Sequence, residues 1–197
     1  MVTRVLPDAN VLYSRTLRDW LFLLKLESGG SMFTVSTTVD ILAETIARYR
    51  DSNPSAAGEQ ITLIHDRILA SVDERIDRYT VDGSWSGTDE EDAHVHAAAK
   101  DGGIDTVLTC DKGWENLAPE ELDLLPYEAQ HPDHFFCLVD TSSPSAVRTV
   151  IASQLKYWFD RNGEVDLPAR LRAAQCPEFA DRVRIHLQTL DCSFLGA

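Results

Sequence analysis

Two short apolar runs, each followed closely by an aspartate, constrain this chain more than any other feature. Thr106-Val107-Leu108-Thr109 is β-branched and apolar over the length of a buried strand, and Asp111 stands just beyond it. Near the start, residues 3–7 form a second such run. Val5-Leu6 is apolar, Pro7 stops the strand, and Asp8 follows, then Asn10, Val11 and Leu12. Open α/β sheets place their ligands at the carboxyl ends of the strands. If these two strands are parallel neighbours, Asp8 and Asp111 converge at one sheet edge.

The stretches between them alternate helix and strand patterns. Residues 16–28 read as a helix burying Leu17, Trp20, Leu21 and Leu24, with Phe22 and Leu23, and ended by Gly29-Gly30. Phe33-Thr34-Val35 reads as a short strand. Val39, Leu42, Ala43, Ile46 and Ala47 recur at helical spacing and predict an amphipathic helix with Glu44 off the centre of its apolar stripe. Asn53-Pro54 breaks it, and 56–74 reads as the next helix. Tyr79-Thr80-Val81 predicts a strand and residues 83–87 a loop. A helix from Asp89 to Gly103 opens on a capping box, Thr88-x-x-Glu91, and ends at Gly102-Gly103. Asp92 then lies in its first turn. Leu124 to Tyr127 reads as a last strand, and His131-Pro132-Asp133 starts a helix running through Phe135, Phe136 and Leu138. The tail predicts helices over 144–160, 167–174 and 177–190. Alternation of this kind implies an α/β class with a mostly parallel sheet.

The length, 197 residues, suits one domain with an extension, and the 44 % hydrophobic content is enough for a sizeable core. No apolar run approaches a membrane span. The start is read as free of a secretory leader. Cys110, Cys137, Cys176 and Cys192 are scattered, fit no zinc spacing, and are expected to be reduced thiols of a cytoplasmic protein. The net charge of −14 argues, by itself, against a nucleic-acid binder and for solubility, a basic partner, or a site that holds cations.

The last option gains weight from four acids: Asp8 and Asp111 after strands, Glu44 and Asp92 on helices able to pack beside those strands. Crowded carboxylates repel one another, and as hard oxygen donors they suit Mg²⁺ or Mn²⁺. A cation there would offset the acidic charge, activate water and stabilise the charge developed during phosphodiester hydrolysis. A net-negative protein can therefore still cut a polyanion. With 32 acidic residues available, the plainer alternative is a helix-capping Asp92, a turn Asp111 and a solvated Glu44.

The same residues resemble a known family. Val5-Leu6-Pro7-Asp8-Ala9-Asn10-Val11-Leu12 resembles the opening of PIN-domain nucleases. Ser36 to Glu44, ending Ile41-Leu42-Ala43-Glu44, resembles the second block, Asp92-Ala93-His94-Val95-His96-Ala97-Ala98-Ala99 the third, and Val107-Leu108-Thr109-Cys110-Asp111 the fourth. The likeness is to the longer bacterial PIN proteins related to VapC toxins, including a Pro132-Asp133-His134-Phe135 segment, and it spans about residues 3–140. It implies a three-layer α/β/α PIN-like fold over 1–140, with a helical extension over 141–197 packed on the same domain. It also implies Mg²⁺- or Mn²⁺-dependent endoribonuclease activity leaving 5′-phosphate and 3′-hydroxyl ends. Asp8, Glu44, Asp92 and Asp111 would be the catalytic and metal-binding acids, braced by Asn10 and Thr109. The chain departs from the family at Trp114, where many relatives carry another acid; Glu115 stands one position later.

The resulting expectation is the toxin of a type II toxin–antitoxin pair, with RNA as substrate, a small antitoxin protein as partner, a homodimer as assembly, and no membrane association. Arg15 and Arg18 are the candidates for RNA contact. The alternative is a catalytically weak PIN-like module acting by binding a partner or RNA. A phosphotransfer protein using Asp8 as nucleophile is disfavoured because position 10 is Asn. Nucleotide-binding folds are disfavoured because neither glycine-rich fingerprint is present. His94 and His96, two apart, do not share a helix face and are not expected to share a metal. Lys112, Trp85 and Trp114 are read as a loop lysine and two packing tryptophans before any RNA contact is assigned to them.

Overall fold

A computed structural model of the chain describes residues 2–87, 89–162 and 165–190. In chain order the elements are β1 (Thr3–Pro7), α1 (Ala9–Tyr13), α2 (Arg15–Glu27), β2 (Phe33–Thr37), α3 (Val39–Ser52), α4 (Gly58–Ser71) and β3 (Glu74–Arg75). There follow α5 (Ala93–Gly102), β4 (Thr106–Leu108), α6 (Lys112–Glu115), α7 (Pro119–Leu122), β5 (Glu128–Gln130), α8 (Pro132–Ser142), α9 (Pro144–Asn162), α10 (Leu167–Ala173) and α11 (Pro177–Thr189). A 3-10 turn at Glu90–Asp92 leads into α5. The chain divides into two compact units: a sheet unit of residues 1–14 and 31–131, and a helical unit of 15–30 and 132–197. The sequence reading drew its line at 140/141. The helical unit instead begins at Pro132 and also takes in α2.

The sheet unit holds five strands, all parallel, in the order β3-β2-β1-β4-β5. The fold is α/β and consistent with a three-layer α/β/α arrangement. Val5, Leu6, Val107 and Leu108 are completely buried, as expected for central strands of a parallel sheet covered on both faces. From β1 the chain adds β2 and then β3 on one side; β4 and β5 are added on the other. The order therefore reverses between β1 and β4, which pair from Val5↔Thr106 to Pro7↔Leu108. Pro7 offers no N–H, and the next donor, Asp8 N, reaches Leu108 O at 2.8 Å. The carboxyl ends of β1 and β4 are thus tied together at the switch point, where open α/β sheets form their ligand crevice.

Thr38 caps α3, its side chain accepting from Ile41 N at 3.0 Å. The helix buries Ile41, Leu42 and Thr45. Of the stripe expected to face the core, only Leu42 is buried; Val39 is 58 % exposed. The other members instead line an open groove of about 620 Å³ with Ile61 and Leu69 of α4. The edge strand β3 is only two exposed residues, Glu74 and Arg75. No strand forms at Tyr79–Val81, and the last strand lies just after the expected 124–127. Gly103 ends α5 with φ +61°, its N–H reaching Ala99 O and Lys100 O. The expected capping box rests on Thr88, which lies outside the described residues. Asp89 caps the turn instead, its carboxylate accepting from Glu91 N at 2.9 Å.

The helical unit has its own core. Leu17, Trp20, Leu21 and Leu24 of α2 are buried, while Phe22 and Leu23 are only half-buried. The Trp20 ring meets Phe179 edge-on at 4.9 Å, and Phe136 lies 5.3 Å from Phe179. Asp133 accepts from the N–H groups of Glu178 (3.1 Å) and Phe179 (2.8 Å), satisfying donors at the start of α11. Asp140 pairs with His186 at 2.7 Å and with Arg182 at 3.2 Å. Cys110, Cys137 and Cys176 are thiols rather than disulfide halves; Cys192 lies outside the described residues. Among the described residues no helix is long and apolar enough to cross a membrane.

Candidate metal centre

Asp8 is 4 % exposed and caps α1, with its Oδ1 accepting from Ala9 N. Its Oδ2 accepts from Asn10 Nδ2 (2.5 Å) and Thr109 Oγ1 (3.1 Å). Asn10 is itself fixed: its amide also donates to Thr109 Oγ1, and its Oδ1 accepts from Cys110 N, both at 3.1 Å. Thr109 Oγ1 further accepts from Asp111 N at 3.0 Å. One hydroxyl thus uses its donor and both acceptor positions to join the tips of β1 and β4. Burial pushes the Asp8 carboxyl up to about 6, with Glu44 adding to the rise and Ala9 N–H, Thr109 and Arg48 opposing it.

Asp92 stands at the end of the 3-10 turn, 6 % exposed. Its Oδ2 is buried and has no hydrogen-bond partner. Burial, then the charges of Asp8, Asp111 and Asp89, push its carboxyl up to about 7. Trp114 tempers that rise, yet its buried indole N–H also lacks a partner, so the two groups lie near each other without a well-formed hydrogen bond. Asp111 caps α6, accepting from Gly113 N at 2.7 Å. One carboxylate oxygen from each of Asp89, Asp92 and Asp111 lies within 4.8 Å of the other two, so the three could hold a metal ion. Gly113 keeps this space open. A Cβ there would lie 3.2 Å from both Asp111 Oδ1 and Asp92 Oδ2.

Glu44 lies outside that trio. Its Oε1 is held by Arg48 at 2.6 Å and 2.9 Å, and its Oε2 lies 3.9 Å from His94 Nε2. It raises the Asp8 pKa, so the four expected acids form one electrostatic neighbourhood in which Asp8 links Glu44 to Asp92. His94 and His96 point to different partners: His96 takes Tyr127 Oη at 2.7 Å and Ser84 Oγ at 3.0 Å, and its pKa is lowered by burial. Trp85 and Tyr127 pack beside it, and Trp114 packs against both, its centroid 4.3 Å from that of Trp85. Trp114 is 2 % exposed and offers no face to a nucleic-acid base.

Arg15 and Arg18 belong to α2 in the helical unit. The Arg15 guanidinium donates to Tyr157 Oη at 3.1 Å and lies 4.5 Å from the Trp158 ring. The Glu115 side chain lies outside what the structure describes. Sequence reasoning missed Asp89, placing it only at the start of the helix whose first turn carries Asp92. The available signal was its spacing: a capping residue three before Asp92 is turned back toward it by a single 3-10 turn. No protein-family model, no curated protein and no solved structure matches this chain, so its functional reading rests on the chemistry of these side chains.

Proposed function

We propose that the chain is a divalent-cation-dependent endoribonuclease of PIN type, with Mg²⁺ or Mn²⁺ as its cofactor, acting as the toxin of a type II toxin–antitoxin pair. The observation that carries this reading is Asp92: one of its carboxylate oxygens is buried without a hydrogen-bond partner, and its carboxylate lies with those of Asp89 and Asp111 beyond the end of β4 in a parallel sheet. An arrangement this costly to keep charged is balanced by a cation. All-oxygen donors favour a hard ion over zinc.

Asp89, Asp92 and Asp111 would hold the ion, which when bound supplies positive charge to a phosphodiester and promotes ionisation of water. Asp8, immobilised by Ala9 N, Asn10 and Thr109, would orient the attacking water in line with the scissile phosphate and take its proton as the P–O3′ bond breaks, the leaving 3′-oxygen taking a proton from solvent. Glu44 sets the charge around Asp8. The toxin assignment, the antitoxin partner and the homodimer rest on the motif resemblance alone.

The test is cleavage of an end-labelled single-stranded RNA pool with Mg²⁺, Mn²⁺ or EDTA, comparing wild type with Asp8→Asn and Asp92→Asn. Metal-dependent cutting lost in both variants is expected. Metal binding without cutting would replace this reading with the binding-module alternative. Cutting that survives both substitutions would remove the site.

A further inference from the structure

We propose that the acidic site takes a single divalent cation, on Asp89, Asp92 and Asp111, and that Arg48 stands in for a second cation beside Asp8 and Glu44. This rests on the site binding a divalent ion but not on its cutting RNA.

Three observations separate the two halves of the site. The first is the trio itself: Asp92 Oδ2 is buried and has no hydrogen-bond partner, and it and Asp111 Oδ1 would each lie 3.2 Å from a Cβ on Gly113. That oxygen therefore accepts no hydrogen bond. The second is that both oxygens of Asp8 already do, from Ala9 N, Asn10 Nδ2 and Thr109 Oγ1. The third is Glu44. Its Oε1 takes both Nε and a terminal nitrogen of Arg48, one helical turn further along α3. Glutamate followed by a cation at i+4 is the favourable orientation of such a pair on a helix. The guanidinium is supplied by the helix that carries Glu44, so it is already within reach of that carboxylate when the helix forms, although Arg48 itself is half-exposed. Its charge reaches Asp8 and Glu91 as well. A divalent ion placed on Asp8 and Glu44 would have to displace this guanidinium or sit beside it. Arginine remains protonated at any working pH and does not yield by losing its charge.

The experiment is a Mn²⁺ titration of the EDTA-stripped, full-length protein, followed by calorimetry and by the loss of free-ion electron paramagnetic resonance signal. Wild type is expected to bind one equivalent. Asp89→Asn, which keeps the capping oxygen, should weaken that binding at least tenfold. Glu44→Gln should change it less than threefold. Arg48→Gln, and independently Arg48→Met, should open a second, weaker equivalent, with circular dichroism confirming the fold. Two equivalents in wild type, unchanged affinity in Asp89→Asn, or one equivalent in both folded Arg48 variants would each overturn the inference while leaving a cation site in place. No Mn²⁺ bound by folded wild type would overturn both this inference and the functional reading beneath it.

Discussion

Thr109 Oγ1 donates to Asp8 Oδ2 at 3.1 Å and accepts from Asp111 N at 3.0 Å, so one hydroxyl couples the side chain at the end of β1 to the backbone at the end of β4. Thr109→Val keeps the shape and removes these two bonds together with the one accepted from Asn10 Nδ2, leaving Asp111 N short of an acceptor. The expected outcome is about 1–3 kcal/mol of lost stability for a buried group left unsatisfied, together with weaker Mn²⁺ binding and slower cleavage. Thr109→Ser should retain most of both. Chemical denaturation alongside a Mn²⁺ titration separates the two effects.

The metal-free protein should be more stable in mild acid than at neutrality. Asp8 at about 6 and Asp92 at about 7 both lie above the ordinary carboxylate value of 3.8. Between about pH 4 and pH 7 the native state therefore binds more protons than the unfolded chain, and stability falls as pH rises through that window. The lowered pKa of His96 works in the opposite sense, its contribution being lost as pH falls below 6.5. Melting in EDTA across pH 4.5–8 should show the carboxylate trend. Asp92→Asn should flatten it and melt above wild type at pH 7.5. Saturating Mn²⁺ at pH 7.5 should raise the wild-type midpoint by the linkage relation.

Gly113→Ala tests the space between the carboxylates. A methyl group 3.2 Å from both Asp92 Oδ2 and Asp111 Oδ1 forces one of them aside. Mn²⁺ affinity should fall about tenfold or more, equivalent to about 1.4 kcal/mol. The change in melting of the metal-free protein should be small. Unchanged affinity would mean that the ion does not lie between these two oxygens.

In the helical unit, Asp133 accepts two N–H groups at the start of α11 from its place on α8. Asp133→Ala should cost about 1–2 kcal/mol, the usual loss for a helix cap. Asp133→Asn, which keeps one accepting oxygen, should cost less. Neither should alter Mn²⁺ stoichiometry.

How far the sequence could be read follows from where the information lies. β1 and β4 were legible because central parallel strands are continuous apolar runs, and α2 because its buried residues recur at helical spacing. Asp8, Asp92 and Asp111 could be picked out as candidates because they flank such runs, and Glu44 because it lies on an amphipathic helix. β3 was invisible: two exposed residues, Glu74 and Arg75, join the sheet through pairing with Ser36 and Thr37, which leaves no periodic trace. Tyr79–Val81 has strand composition but pairs with nothing in the sheet, since β-propensity reports a half-buried setting rather than a backbone preference. The stripe of α3 was seen correctly as apolar, but periodicity does not say what a face will meet, and much of this one meets an open groove. Arg48 lay among many charged residues, and only the folded chain shows that it turns toward Glu44.

The reversal of strand order has a consequence for biosynthesis. Asp8, Asn10 and Glu44 are synthesised early, yet Thr109 lies 101 residues after Asp8. Closing a loop of that span is slow compared with forming local helices. A nascent chain therefore carries half of the acidic cluster as separate pieces until its fourth strand has left the ribosome and inserted beside the first. A product truncated before Thr106 would display the opening motif in full and possess no site at all.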